Sequence, residues 1–313
     1  MKRLLFRIIG VAAFFSLAFA QPRHPWDHPL EGRWDITVTT PTGVYPDWME
    51  ISQTDYGWQA LIQPRSGGAR RATGISVTNL HLILTLFPAA GKNPATTWDI
   101  TLANEKLSGT EKRGGTVQAQ LAGVRAPYLD RPVPKAWSDP QPLFNGTDLT
   151  GWEPANQGDN HWTAKGGVLI NLEKGINLKT SRKFDDFQLH IEFNCPEGGN
   201  SGIFLRGRYE VQVEYEPADA GDKLHGMGSI YSFLGPAVDL PRKPGEWESF
   251  DITLAGRHVT VTRNGTKTID NMEIPGITGG ALDCDEGKPG PIMLQGDHTG
   301  GMKYRNIRIS VPK

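Results

Sequence analysis

The chain has 313 residues, of which 38% are hydrophobic, and its 33 Lys and Arg almost balance its 34 Asp and Glu. This composition predicts a soluble globular protein with room for two hydrophobic cores, and it excludes a disordered chain. The balanced charge argues against a nucleic-acid partner, because phosphate binding needs a stripe of clustered Lys and Arg.

Residues 1–20 have the pattern of a secretory signal peptide. Lys2, Arg3 and Arg7 form its positive start, residues 8–19 are apolar, and Ala-Phe-Ala at 18–20 is a small-x-small cleavage site. Cleavage after Ala20 predicts a secreted or periplasmic protein. No later run reaches the roughly 20 apolar residues of a membrane-spanning helix, so we expect no membrane span.

Residues 21–123 show no helical period, and short alternating segments separated by turn residues predict a small N-terminal β domain. The predicted strands are 33–39, 48–53, 58–63, 72–77, 81–86, 96–103, 106–112 and 115–122. Eight short strands with tight connections are typical of a meander closed into a barrel, or of a β-sandwich. The triplet Gly32-Arg33-Trp34 resembles the Gly-x-Trp of lipocalin-like barrels, which is a weak signal by itself, and we favour a simple packing role in which Trp34 closes the barrel end.

Residues 124–142 form a proline-rich stretch that predicts an interdomain linker, because proline favours extended backbone. Its prolines are Pro127, Pro132, Pro134, Pro140 and Pro142.

Residues 143–313 again predict strands only, so the whole chain is expected to be all-β. The predicted strands are 163–171, 187–194, 202–207, 209–215, 229–233, 248–255, 258–263, 266–269, 290–295 and 302–311. Asn264-Gly265 between two of them is a strong hairpin signal. About ten strands in this length are typical of a jelly-roll sandwich with one concave face.

The chain contains two cysteines, Cys195 and Cys284. In an oxidising compartment they could form one disulfide, and two free thiols are an equal alternative. Because neither belongs to a C-x-x-C motif, thiol redox chemistry and a cysteine zinc site are poorly supported.

The segment 201–214 places a distinctive set of polar side chains on one predicted strand face, since side chains alternate between faces. A guanidinium fork beside carboxylates and an amide is typical of a site that binds sugar hydroxyls. An ordinary solvated face is the alternative. The residues of this face are Phe204, Arg206, Glu210, Gln212 and Glu214.

Other strands contribute polar residues that the same alternation assigns to this concave face. Together they would form a groove that binds a small-molecule oligosaccharide or glycoside. Two alternatives are a simple cross-strand ion pair between Glu192 and Arg206, and a solvated His190. The contributed residues are His190, Glu192, Tyr231, Gln295, Asp297 and His298.

Glu210-x-Gln212-x-Glu214 is similar to the E-x-D-x-E motif of retaining glycosidases with jelly-roll folds. Such enzymes need a nucleophile and an acid with carboxyl groups about 5 Å apart. Gln212 replaces the central Asp that tunes the nucleophile, and this replacement disfavours ordinary double displacement.

Residues 140–312 resemble the 3-keto-disaccharide hydrolase domain family, which has a concanavalin- or laminin-G-like jelly roll. Where that family usually has Asp-Ser or Asp-Asn after the Gln strand, this chain has Glu-Tyr-Glu at 214–216. The blocks that carry the resemblance are 143–152, 162–169, 187–193, 200–206, 209–213, 245–247, 264–265, 292–295, His298 and 304–308.

The resemblance implies cleavage of glycosides that are already oxidised to a ketone at sugar carbon 3. The ketone acidifies the hydrogen on carbon 2, so that a base can remove it, the enolate can expel the aglycone and water can add. Glu210 or His298 would be the base or acid, and Arg206 would stabilise the enolate. The residues expected to bind substrate are Glu192, Gln212, Tyr231, Gln295, Asp297 and His190.

No cofactor is firmly indicated by the sequence. A divalent metal could polarise the ketone, but no compact ligand motif requires one. Two other functions remain open, a non-catalytic carbohydrate-binding module and a conventional glycoside hydrolase, because the same fold also hosts lectins.

Overall fold

The structure is a computed structural model that describes residues 28–88, 90–217 and 221–313. Within these ranges the secondary structure consists of β-strands without an α-helix, which confirms the all-β prediction. None of the described segments is a helix long and apolar enough to cross a membrane. The predicted signal peptide, residues 1–20, lies outside the described residues.

The first nine strands form one sheet with the order β4-β3-β2-β1-β9-β8-β7-β6-β5. Residues 70–78 pair with β3 at their start and with β6 at their end, so the sheet closes into a barrel. The strands are β1 Gly32–Thr40, β2 Gly43–Thr54, β3 Gly57–Gln63, β4 Arg70–Arg71, β5 Gly74–Thr78, β6 His81–Phe87, β7 Thr96–Ala103, β8 Lys106–Arg113 and β9 Thr116–Arg125.

Apolar side chains fill the barrel interior, because every second residue of a barrel strand points inward. On β1 the inward residues are Trp34, Ile36 and Val38, which are at most 1% exposed. The Trp34 indole donates a hydrogen bond to the Leu30 carbonyl at 2.9 Å, so its polar edge is satisfied at the barrel end.

The remaining strands form two sheets that pack face to face as a sandwich around one apolar core. The large sheet has the order β12-β13-β22-β15-β18-β19-β20, with β10 beside β22, and the small sheet has the order β11-β14-β21-β16-β17. The strands are β10 Gln141–Pro142, β11 Trp152–Pro154, β12 Trp162–Lys165, β13 Val168–Asn171, β14 Leu178–Thr180, β15 Phe187–Asn194, β16 Asn200–Leu205, β17 Tyr209–Glu214, β18 Trp247–Ala255, β19 His258–Arg263, β20 Thr266–Glu273, β21 Met293–Leu294 and β22 Met302–Ser310.

Three of the predicted strands in the second half of the chain differ most from the structure. The strand predicted at 163–171 is a hairpin, because Gly166 and Gly167 turn the chain with φ of 60° and 80°. The segment predicted at 229–233 is mostly a turn, in which Ser232 has a φ of 66°. Of the strand predicted at 290–295, only Met293 and Leu294 form a ladder.

The barrel is docked onto the sandwich through Trp48 on β2. This side chain is fully buried and packs in the sandwich core, with its ring 5.6 Å from that of Phe233. A Cβ atom at Gly276 would lie only 2.3 Å from the Trp48 indole nitrogen, so the two surfaces approach as closely as a glycine permits. The outer face of the small sheet is therefore partly covered by the barrel.

A buried polar cluster accompanies this contact. Glu286 accepts a hydrogen bond from the Tyr209 hydroxyl at 2.5 Å and lies 3.3 Å from the Arg257 guanidinium. Burial, and then the charge of Glu286, raise the pKa of Asp35 on β1 to about 10. Asp35 therefore keeps its proton at neutral pH and adds no second negative charge beside Glu286.

Cys195 and Cys284 are free thiols, so of the two alternatives the structure has no disulfide. Burial raises the pKa of Cys195 to about 12, which keeps this thiol protonated. The Cys284 sulfur lies 3.7 Å from the Thr37 hydroxyl of the barrel.

Candidate active site

A cavity of about 380 Å³ lies between the small sheet, the loop at 279–282 and one end of the barrel. Its volume is in the range of sites that bind small molecules. It is lined by Val44, Tyr45, Pro46, Arg65, Ser66, Gly67, Ala155, Asn156, Asn177, Asn200, Glu210, Gln212, Tyr231, Gly279, Gly280, Ala281, Leu282, Gln295, Asp297 and His298.

Glu210 on β17 is the buried carboxyl group of this cavity. Its side chain is 4% exposed, and no described residue donates a hydrogen bond to the carboxyl. Burial, followed by the negative charge of Asp297, raises the pKa of Glu210 well above its usual value. Both effects favour the uncharged carboxylic acid, which is the form that can donate a proton.

Gly202 on the neighbouring strand β16 makes room for this carboxyl. A Cβ atom at position 202 would lie 2.0 Å from the Glu210 Oε1 and 2.7 Å from its Cδ and Cγ. No larger residue fits there without moving the Glu210 side chain. The orientation of Glu210 thus depends on the absence of a side chain at position 202.

Asp297 and His298 follow β21 and face the cavity as a hydrogen-bonded pair, with His298 Nδ1 at 2.8 Å from Asp297 Oδ1. Burial by itself raises the pKa of Asp297, but the hydrogen bond and charge of His298 and the Asn177 amide outweigh it and lower the pKa. The carboxylate favours the tautomer with hydrogen on Nδ1, which leaves the Nε2 lone pair of His298 as a proton acceptor.

Asn177 on the loop beside β14 fixes this pair. Its Nδ2 donates to Asp297 Oδ2 at 3.3 Å, and its Oδ1 accepts from the Gly296 backbone at 2.8 Å. Asn177 was missed in the sequence analysis, because an asparagine outside a strand carries no periodic signal. Asn156, whose side chain accepts a hydrogen bond from the Asn177 backbone, was missed for the same reason.

Gln212 and Gln295 give the cavity two directional acceptors. Their Oε1 atoms are buried and accept no hydrogen bond from a described residue. Gln212 Nε2 donates at 3.4 Å to Asn200 Oδ1, which orients the amide. Buried acceptors without a protein donor are suited to hydroxyl groups of a ligand, because leaving them unpaired costs free energy.

Tyr231 completes the sandwich side of the cavity. Its ring contacts that of His225 edge to face, with centroids 4.9 Å apart. His225 in turn bonds to Asp222 and to the Ser232 hydroxyl, both at 2.8 Å. This chain of hydrogen bonds holds the turn that carries Tyr231.

Six of the predicted site residues therefore meet in one cavity: Glu210, Gln212, Tyr231, Gln295, Asp297 and His298. The barrel residues of the lining were missed entirely. Nothing in the local sequence of Arg65 or Tyr45 indicates a site, because their position depends on how the barrel docks.

The prediction that Arg206 shares this face is wrong. β16 ends at Leu205, and Arg206 has a φ of 54°, so the strand alternation stops before it. Its fully buried guanidinium donates to the Gly256 carbonyl at 2.7 Å and to Asp185 at 3.1 Å. Arg206 joins the small sheet to the turn between β18 and β19 and does not line the cavity.

The prediction that His190 and Glu192 line the groove is also wrong. Both lie on β15, which belongs to the large sheet. Glu192 accepts hydrogen bonds from Arg305 at 2.6 Å and Asn306 at 2.9 Å, and His190 bonds to Asp251 at 2.7 Å. The alternation identified the polar side of the strand correctly but could not identify the sheet.

Glu214, the last residue of the Glu-x-Gln-x-Glu motif, is buried and accepts a hydrogen bond from the Glu216 backbone at 2.6 Å. It does not line the cavity. The second carboxyl group of the cavity lining, beside that of Glu210, belongs to Asp297. Among the described residues, no group of three or more His, Cys, Asp or Glu side chains is arranged to hold a metal ion.

Comparison with known proteins gives one family match. Residues 139–310 match the 3-keto-alpha-glucoside-1,2-lyase-like domain, which confirms the predicted resemblance. No curated protein sequence matches the chain.

Solved structures with similarity include a proposed glycosyl hydrolase from Parabacteroides distasonis ATCC 8503, which is 32% identical over 59% of this chain and 94% of that chain, with a TM-score of 0.48. A second from the same organism is 21% identical over 55% and 93%, with a TM-score of 0.45. Trypanosoma rangeli sialidase is 10% identical over 86% and 64%, with a TM-score of 0.32. Because all three TM-scores are below 0.5, membership of the family rests on the match of residues 139–310 alone.

The buried position of Arg206 predicts a structural role. Arg206→Gln should lower the free energy of unfolding by about 3 kcal/mol, because it leaves buried polar groups without partners. The measurement is urea denaturation. Arg305→Gln is the matched control, since its guanidinium is 42% exposed and an exposed pair contributes less than about 1 kcal/mol. Equal effects of the two substitutions would contradict the structural role.

Proposed function

The chain belongs to the 3-keto-alpha-glucoside-1,2-lyase-like family, and we propose that it cleaves glycosides whose sugar carries a ketone at carbon 3. Family membership supports a glycoside hydrolase-like function, and the 3-keto specificity is the further step of the proposal. The observation that carries it is that the buried Glu210 carboxyl, whose pKa burial raises, and a His298 oriented by Asp297 line the same amide-rich cavity.

The first half of the proposed reaction is an elimination. The ketone acidifies the hydrogen on carbon 2, and His298 Nε2 removes it as a proton. The resulting enolate re-forms the ketone and a double bond between carbons 1 and 2, and the bond from carbon 1 to the aglycone oxygen breaks. Glu210 donates its proton to that oxygen, so the aglycone leaves as a neutral alcohol or phenol.

The second half adds water to the double bond. Glu210, now a carboxylate, takes a proton from the water molecule while the water oxygen bonds to carbon 1. His298 then donates a proton to carbon 2. The products are the free 3-keto sugar and the aglycone, so the overall change is hydrolysis without net oxidation. Both groups regain their starting protonation states.

The amide side chains of the cavity would orient the substrate. Gln212 and Gln295 would accept hydrogen bonds from sugar hydroxyls through their buried Oε1 atoms. Because Arg206 lies elsewhere, the proposed donor to the enolate oxygen is Asn200, whose Nδ2 donates to no described residue. The proposed steps use side chains alone. A comparison of turnover with and without a chelator tests whether a divalent metal assists them.

Export is a further part of the proposal and rests on the signal-like residues 1–20. A protein secreted or held in the periplasm would meet glycosides from outside the cell.

The direct test is turnover of a 3-keto glucoside with a 4-nitrophenyl aglycone, with and without chelator. Wild-type protein should release nitrophenol from this substrate and not from the parent glucoside. Glu210→Gln and His298→Ala should each lower kcat/KM by about 10²- to 10⁴-fold, the usual contribution of a general acid or base. In D₂O the sugar product should carry deuterium at carbon 2, because the proton that His298 removes exchanges with solvent before His298 protonates carbon 2 again.

The matched controls are Glu192→Gln and His190→Ala, the same substitutions at residues on the large sheet. They should leave kcat/KM within about twofold, because they are outside the cavity. Release from the parent glucoside would support a conventional glycoside hydrolase. Saturable sugar binding without any release would instead indicate a carbohydrate-binding module.

Asp297→Asn tests the coupling between the two catalytic groups. The negative charge of Asp297 helps to raise the pKa of Glu210, so its loss should lower that pKa. Since Glu210 acts while protonated, the alkaline limb of the pH–rate profile should move to lower pH. kcat should also fall by about 10²-fold, because His298 loses its orienting carboxylate. Asp251→Asn, which breaks a similar Asp–His pair on the large sheet, is the control. An unchanged alkaline limb would show that Glu210 does not set it.

Gly202→Ala tests the space that the Glu210 carboxyl requires. The added methyl group would overlap the Glu210 side chain and displace it, so kcat should fall by about 10²-fold or more. Gly287→Ala is the matched control, since the nearest atom to its Cβ would be at an ordinary 3.7 Å. Thermal unfolding of both variants separates a displaced carboxyl from a misfolded chain, and full activity of Gly202→Ala would contradict the proposed role of Glu210.

A further inference from the structure

The cavity has two walls of different chemistry. The sandwich wall carries the carboxyl and imidazole groups, including Glu210 and His298, and all of the side-chain amide groups of the lining. The barrel wall carries an arginine, an aromatic ring and apolar side chains. Its residues are Val44, Tyr45, Pro46, Arg65, Ser66 and Gly67.

The barrel wall is held against the sandwich by its loop at 64–68. The Gly280 backbone donates to the Arg65 carbonyl at 2.8 Å. A Cβ atom at Gly68 would lie 2.3 Å from the Ser232 hydroxyl and 2.7 Å from His225 Nε2. Within the barrel, Gln63 Nε2 donates to the Gly67 carbonyl at 2.8 Å. These hydrogen bonds, and an approach at Gly68 that leaves no space for a side chain, place the loop in the cavity lining.

Arg65 is the single Lys or Arg among the described residues that line the cavity. Its guanidinium lies over the Tyr45 ring, 4.9 Å from the centroid, which is a cation–π geometry. No described carboxylate lies within ion-pair distance of it. Burial raises the pKa of the nearby Asp47 well above its usual value despite a hydrogen bond from the Arg65 backbone, which disfavours the charged form of this carboxyl.

The proposed reaction decides which part of the substrate meets which wall. Glu210 protonates the leaving oxygen and His298 removes the hydrogen on carbon 2, so the sugar ring would lie against the sandwich wall. The aglycone begins beyond the leaving oxygen and must extend away from the amide groups that hold the sugar. The opposite wall, formed by Tyr45 and Arg65, is the surface available to it.

We propose that the barrel end is the aglycone subsite and that Arg65 and Tyr45 select aglycones with an aromatic ring bearing a carboxylate. This inference rests on the proposed function. Val44, which is 66% exposed, Pro46 and the Tyr45 ring offer apolar surface to a planar ring. The Arg65 guanidinium presents the donor fork that matches a carboxylate, and a charged partner strengthens those hydrogen bonds.

The experiment compares two 3-keto glucosides of nearly equal size, one with a 4-carboxyphenyl aglycone and one with a 4-carbamoylphenyl aglycone. Wild-type protein should have a kcat/KM about tenfold higher for the carboxylate, chiefly through a lower KM. Arg65→Gln should abolish this preference, because it should lower kcat/KM for the carboxylate substrate about tenfold more than for the carbamoyl substrate. Added salt should reduce the preference of the wild-type protein, because it screens an exposed charge.

Arg71→Gln is the matched control, because Arg71 is on the same barrel, is exposed and contacts Gln59 outside the cavity. It should keep the wild-type preference. An equal loss on both substrates in Arg65→Gln would mean that Arg65 only supports the wall, and this would overturn the inference. Equal kcat/KM values in the wild-type protein would overturn it as well.

Titration calorimetry with the same two glucosides separates this inference from the proposed reaction. Tighter binding of the carboxylate, lost in Arg65→Gln, would support the subsite even if neither compound were cleaved, and the reaction alone would then be wrong. Cleavage of both compounds without any preference would support the reaction and overturn the subsite. Neither binding nor cleavage would overturn both.

Discussion

The burial of the Glu210 carboxyl is the constraint on which the cavity depends. A carboxylate removed from water without partners is costly, so the group keeps its proton instead, and its pKa rises. Gly202 supplies the space for it, and Asp297 supplies a nearby negative charge that reinforces the shift. The burial that makes the charged carboxylate costly therefore favours the protonated form, which is the form that acts as an acid.

Neither sheet of the sandwich could provide this burial alone. All six residues of β17 are buried, although only one face of the strand packs into the sandwich core. The other face is covered by the loop at 279–282 and by the barrel, which is docked through Trp48. The barrel thus contributes to the burial of the face that carries Glu210, and its position is linked to the chemistry of a residue it does not contain.

Strand periodicity predicted much of this arrangement. The alternation in 209–214 correctly separated Tyr209 and Val211, which enter the core, from Glu210 and Gln212, which face the cavity. It failed for His190 and Glu192, because a period of two assigns a residue to a face and not to one of two sheets. It failed for Arg206, because a single left-handed residue after β16 ends the alternation. The sheet to which each of these residues belongs is determined by pairing between strands that are distant in the chain.

The two arginines show why a site assembled from two halves of a chain escapes local sequence reasoning. Arg206 lies in the segment that resembles known relatives, yet it is a buried structural cation, whereas Arg65 lies outside residues 139–310 and reaches the cavity. On the proposed division of labour, the groups that perform the chemistry belong to the family-matched sandwich, and the groups that meet the aglycone belong to the barrel. Relatives that share the sandwich without this barrel would keep the reaction and differ in the leaving group they accept.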